Sequence, residues 1–396
     1  MPERNTMKKI QELQQVKGDA YDYYIAGNED TDLFEKIFLV DDIVEEICKP
    51  DKYFLIGEKG SGKTAYSVYM SKSDKINSFC SISLVENTLY QRFLNMKRQK
   101  ALELSSFKDV WINLIYLILA EKIRKEYGET FFSSIKYKQL SKAIDVFYSD
   151  AFKPEFVNAF EFVDNASASI NSMMKQGLFS TGTKASAETS QKYVEQSFQI
   201  SLLKIRDGFE KAFMSVNLKK PTILFVDGID ARPRDIDNEQ YFECLVGLVN
   251  AVLEMNQSFL KEKQIKIMLL IRPDIMYKMP VHNMNQKLRN NSVLLNWVTS
   301  YRKYIDSKLF KIADDYFMKQ QDYSYELGEC WNYYFPYKVE YQEKWKAPDN
   351  PFVEFLRYSL YKPRDILTML NEMVDATSGT PVSYTHLRAH ETGRNL

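Results

Sequence analysis

Apolar residues in this chain fall into short uninterrupted runs that alternate with longer stretches of helical spacing. Tyr53–Ile56 (YFLI), Ser78–Val85 (SFCSISLV), the apolar part of Pro221–Asp230 (PTILFVDGID) and Lys266–Arg272 (KIMLLIR) predict buried strands. Between them, Phe34–Ile47, Thr64–Met70, Ser105–Tyr127, a stretch from about Lys192 to Val216, and Asp237–Lys263 predict helices. In Ser105–Tyr127 the cap is Ser105 or Ser106, and Trp111, Leu114, Ile115, Ile118 and Leu119 share one face. Strands alternating with helices predict an α/β fold with a parallel sheet flanked by helices.

The first strand runs into the densest glycine cluster of the chain. Three of its 14 glycines, Gly57, Gly60 and Gly62, lie in GEKGSGKT, which reads G-x-x-x-x-G-K-T from Gly57 to Thr64. A strand, a glycine loop and a helix in that order form the context a phosphate-binding loop requires. Glycines let the backbone wrap so that successive N–H groups of Gly57, Glu58, Lys59, Gly60, Ser61 and Gly62 converge on an anion. The following helix aims its positive end at the same point. Lys63 is placed to reach the β- and γ-phosphates of ATP, and the Thr64 hydroxyl to bind Mg²⁺. The bland alternative is a tight glycine turn with a surface lysine.

Further features extend this reading. Asp227 ends the apolar run of PTILFVDGID, at the carboxyl edge of a strand where ligands of open α/β sheets collect, and is the candidate Mg²⁺ carboxylate. The next position, where many ATPases carry a water-polarising Glu, is Gly228, so Asp230 is the nearest substitute, as a catalytic group or a turn cap. Arg272 ends another strand, placed to sense the γ-phosphate or to pair with Asp274. In YKPRD (Tyr361–Asp365), Pro363 and Asp365 suit the first turn of a helix and Arg364 does not. A cation in that place serves a phosphate across a domain boundary, or a surface ion pair.

Taken together, GEKGSGKT, PTILFVDGID, a strand ending in arginine and a late Pro-Arg helix resemble the STAND/AAA+ class of P-loop ATPases. They resemble equally the bacterial KAP-type ATPases and the little-characterised bacterial P-loop ATPases related to them. The resemblance spans roughly Phe34 to Thr377. It implies a P-loop NTPase fold with a helical insertion and a C-terminal helical lid, Arg272 as a sensor-1 residue and Arg364 as a sensor-2 residue. Two departures stand out: the membrane segments of many KAP proteins are missing from the pattern, and no effector domain is visible.

Segment boundaries follow from composition. Residues 1–33 form a polar, partly helical lead. Residues 34–320 form the ATPase core, with a helical and flexible insertion at about 130–200 whose later half is rich in Ser, Ala and Thr. Residues 321–380 hold an aromatic-rich segment and the lid. Tyr323–Trp345 carries nine aromatics but four acidic against two basic residues, so core or partner packing is preferred over stacked nucleic-acid bases. Arg92, Lys97, Arg98 and Lys100 read as a solvated helix face. Val382–Thr392 (VSYTHLRAHET) resembles the translation of a sequencing-library adapter. Residues 381–396 are therefore expected to be an adapter-derived scar, with the natural chain cut near Thr380. On that reading His386 and His390 drop out as ligands or bases, leaving His282.

Composition narrows the function classes. The 53 Lys+Arg balance 53 Asp+Glu, which argues against a general nucleic-acid coat or a polybasic membrane binder. Cys48, Cys80, Cys244 and Cys330 form no C-x-x-C pair, so a zinc ribbon has no support and reduced thiols are expected. The longest apolar run, Trp111–Ala120, is too short to span a bilayer, and no secretory signal is evident, so a cytoplasmic protein is expected. The expected function is a Mg²⁺-dependent ATP-binding and ATP-hydrolysing switch, with the nucleotide and a protein partner or a second copy of the chain as its candidate partners. The family resemblance points to bacterial stress or phage defence. The rival is a DNA-processing or DNA-repair motor, which needs a basic groove that the neutral composition does not advertise. A small-molecule kinase fits the length and lid less well. No N-K-x-D guanine motif and no LSGGQ-like signature is present.

Overall fold

Runs of β-branched and aromatic side chains form strands where they can be covered on both faces. A computed structural model of the chain describes residues 7–26, 32–85, 107–132, 137–150, 202–229, 238–279, 284–339 and 349–376. It contains a parallel sheet of β1 (Phe54–Ile56), β2 (Phe79–Leu84), β3 (Thr222–Asp227), β4 (Ile265–Ile271) and β5 (Ser292–Leu294), in the order β2-β3-β4-β1-β5. Ile56 pairs with Ile271, and Leu84 with Asp227. β1, β3 and β4 are buried along their whole length, which is why they read as continuous apolar runs. From β1 the chain crosses to the far edge at β2 and returns through β3 and β4, so that β4 lies beside β1. Among the described residues no helix is long and apolar enough to cross a membrane.

Asp230, the cluster at Arg92–Lys100, most of the 130–200 insertion, His282 and the tail at 381–396 lie outside the described residues, as do His386 and His390.

The chain divides into two compact units. One comprises residues 47–56 and 75–293 and holds most of the sheet with the helices that cover it. Its helix Phe107–Phe132 is interrupted at Gly128, whose φ of +74° is non-helical. The apolar face expected for it was too narrow: residues 110–121 are buried all round, the pattern of a helix inside a core. Trp111 Nε1 donates to the Cys244 carbonyl at 3.0 Å. A Cβ at Gly247 would lie 2.6 Å from Phe107 Cβ, so glycine there lets the two helices approach. The helix expected over Asp237–Lys263 stops at Asn256. There the buried Asn256 amide donates to the Ile267 carbonyl at 2.8 Å and accepts from its N–H at 2.9 Å, docking the helix end on β4.

Lys266 is buried in β4, and its Nζ donates to the carbonyls of Ile47 and, at 2.8 Å, Lys49. Burial pulls the ammonium pKa down from 10.5 to about 8, with the thiols of Cys48 and Cys80 and the Asp51 carboxylate opposing. Between those values the unfolded chain holds a proton the folded chain has released. This residue's contribution therefore favours folding more as pH rises. Relative to Lys266→Met, the wild-type chain should gain about 1.4 kcal/mol of stability between pH 7 and pH 9. Denaturant melts of both proteins at the two pH values check this; an unchanged gap would contradict it.

The second unit comprises residues 1–46, 57–74 and 294–396. Its core joins Ile10, Leu13 and Val16 to the helices Lys308–Met318, Glu329–Tyr334, Pro351–Ser359 and Pro363–Ala376. The aromatic-rich segment supplies Trp331, Tyr334 and Phe335 to this core, in keeping with packing. The single helix expected over Phe34–Ile47 is two, Asp32–Ile37 and Asp42–Cys48. Asp41 explains the break: its carboxylate accepts from the Ile43 N–H at 3.2 Å, so it starts a new helix. The same carboxylate accepts from Tyr66 Oη at 2.9 Å and pairs with Lys308 at 2.8 Å.

Candidate functional site

The glycine loop follows β1 and belongs, by its contacts, to the second unit. Gly60 and Gly62 take φ of +85° and +94°, the left-handed region that other residues enter at a cost. Gly57 is small for a different reason: a Cβ there would collide with the Ser61 hydroxyl and lie 3.1 Å from Leu295 Cβ. Glu58 and Lys59 form the exposed tip, and the Ser61 N–H donates to the Glu58 carbonyl at 3.1 Å. Gly62 is the N-cap of the helix Lys63–Lys72, in which Thr64 is the second residue.

Lys63 is buried, and its Nζ donates to the Gly57 carbonyl at 2.8 Å and the Glu58 carbonyl at 3.2 Å. The ammonium is thus folded into the loop. The Ser61 hydroxyl is buried without a hydrogen-bond partner, an orphaned polar group inside the loop.

Of the residues singled out in the sequence, Arg364 is brought to this loop. Pro363 opens the helix Pro363–Ala376, and the Arg364 N–H donates to the Gly60 carbonyl at 3.3 Å. The Arg364 guanidinium lies 3.3–3.5 Å from where a Gly60 Cβ would stand, so a side chain at Gly60 would press on it. Its Nε is 3.7 Å from Asp365 Oδ1 and the side chain is 44% exposed, which leaves it a loose partner for the carboxylate. The loop and its arginine lie in one unit, not across a boundary.

The other strand-end residues belong to the sheet unit. Asp227 ends β3, buried, and its Oδ1 accepts from the Gly228 N–H at 2.7 Å. Gly228 has φ of +83°, and a Cβ there would come within 2.9 Å of the Val85 carbonyl, so no glutamate fits after Asp227 in this conformation. Arg272 follows β4 on the neighbouring strand and is held by Asp274: Nε donates to Oδ1 at 2.9 Å and Nη2 to Oδ2 at 2.7 Å. The structure therefore holds the ion pair that was the alternative reading of Arg272. Among the described residues no group of three or more His, Cys, Asp or Glu side chains stands ready to hold a metal.

Sequence reasoning missed Trp297. Its Nε1 donates to the Ser61 carbonyl at 2.8 Å, while its ring packs against the second core. No motif or spacing marks it, because it lies far from the loop in sequence and in an irregular segment without periodicity. Comparison with protein-family models, with curated proteins and with solved structures finds no match to this chain.

Proposed function

We propose that the chain is a P-loop protein that binds ATP on Gly57–Thr64 and hydrolyses it with Mg²⁺, the helix Pro363–Ala376 acting as the lid of a switch. The observation that carries this reading is the convergence of Arg364 and Lys63 on a loop of two left-handed glycines ahead of a helix N-terminus. The group fits the residues: the orphaned Ser61 hydroxyl offers a donor, and the loop glycines keep side chains out of its backbone curve. Backbone amides of the loop would hold the phosphates, and Lys63 would exchange its carbonyl partners for phosphate oxygens. Bound Mg²⁺ would withdraw charge from the β- and γ-phosphates.

The proposed roles of Thr64 and Asp227 as Mg²⁺ ligands, and of Asp230 and Arg272 in hydrolysis, rest on their positions in the sequence. Arg364 would add charge at the terminal phosphate and tie nucleotide occupancy to the helix it opens. The bacterial stress or phage-defence setting rests on the family resemblance alone.

Equilibrium dialysis of ATP against wild type and Arg364→Ala tests the reading. Wild type should bind saturably, and the variant about tenfold more weakly, the loss of one charge-assisted contact at a half-exposed site. A wild-type chain that takes up no ATP in the presence of Mg²⁺ would overturn it.

A further inference from the structure

We infer that Trp297 is a positioning residue for the phosphate loop, fixing the direction of the Gly62 N–H; this rests on the ATP-binding reading above. The indole N–H takes the Ser61 carbonyl at 2.8 Å. Ser61 C=O and Gly62 N–H share one planar trans peptide and point to opposite sides of it. Holding the carbonyl toward Trp297 therefore directs the amide away from it, the side on which a phosphate would have to sit to take this N–H.

This peptide needs a hold. Gly62 sits at φ of +94°, and a Cβ at this position would meet nothing within 4 Å, so no side chain of its own restrains this peptide. Neighbouring peptides are tied differently: Gly60 C=O by the Arg364 amide and Gly57 C=O by Lys63. Leu295 beside Gly57 shows that the same irregular segment lines the loop, and the Trp297 ring anchors that segment on the second core. The indole thus transmits the rigidity of the helical core to one peptide of the loop.

Trp297→Phe keeps an aromatic ring, though a smaller one, and removes the donor. Affinities for ATP and for inorganic triphosphate are measured by calorimetry for wild type, Trp297→Phe and Lys63→Ala, alongside melting temperatures without ligand. Trp297→Phe should weaken both ligands about five- to tenfold, the worth of one aimed hydrogen bond, with its ligand-free melting temperature lowered only by the few degrees that one lost hydrogen bond costs. Equal affinities in Trp297→Phe and wild type, with Lys63→Ala still losing ATP, would overturn the assignment and leave the ATP reading standing. A loss for ATP but not for inorganic triphosphate would overturn it too, since the ring would then act on the nucleoside. So would a loss that vanishes once affinity is expressed per folded molecule, which marks a purely structural role. ATP binding that survives in Lys63→Ala would remove the reading on which the inference rests.

Discussion

Lys63→Ala is expected to lose at least about a hundredfold in ATP affinity, to the limit of detection in a titration. Two effects add. The ammonium would supply charge to the phosphates from a buried position, where water screens it little. It also ties the Gly57 and Glu58 carbonyls together, so its removal loosens the loop before any ligand arrives. Leaving those carbonyls without this donor costs about 1–3 kcal/mol, which a melting curve without ligand would register. Lys63→Arg separates the effects: it keeps the charge but places a broad planar fork where a compact ammonium fits between two carbonyls. It should recover part of the stability and little of the affinity. Unchanged ATP binding in Lys63→Ala would show that the loop is only a tight turn.

The sheet was legible in the sequence because its central strands are covered on both faces. FLI, TILFVD and IKIMLLI are buried along their whole length and nearly continuous in apolar residues, so no helical period competes with the strand pattern. β5 was not legible, since only Val293 of SVL is buried and no apolar run marks it. Helix boundaries were less visible where a single side chain decides them. Asp41 breaks Phe34–Ile47 by capping Ile43, and Asn256 ends its helix by pairing with both backbone groups of Ile267. Both are long-range or competing contacts that local spacing does not encode.

The glycine loop was legible for the opposite reason, because its conformation demands particular residues at fixed offsets. Its surroundings followed only in part. Arg364 stood out as a cation at the wrong end of a helix, and it meets Gly60. Trp297 gave no such contradiction, as a tryptophan in an irregular segment violates no local preference. The interleaving of the units is equally hidden: Gly57–Asp74 continues from β1 along the chain yet makes its contacts with residues before 47 and after 293. Continuity of sequence conveys nothing about which distant segment covers an element.

That membership gives the second large prediction, Trp331→Ala, its functional weight. Trp331 is fully buried, stacked on Phe335 at 4.2 Å and edge-on to Phe352 at 5.2 Å and Phe355 at 5.3 Å. Its indole N–H donates to Asn350 Oδ1 at 3.1 Å, and its backbone N–H to the buried Asp314 carboxylate at 2.8 Å. Burial raises the Asp314 pKa, and its hydrogen bonds from the Gly328 and Trp331 amides work against that rise. Truncation to alanine would open a cavity among rigid rings that are poorly able to collapse into it. It should cost about 3–5 kcal/mol in a denaturant melt. Trp331→Phe refills most of the space and should recover more than half of the loss. Because the glycine loop makes its contacts within the same unit, ATP affinity should fall together with the folded fraction and return with Trp331→Phe. If the rings instead served nucleic-acid bases, Trp331→Ala would leave the melt unchanged and abolish binding of single-stranded DNA. That pairing of results would reinstate the DNA-motor reading.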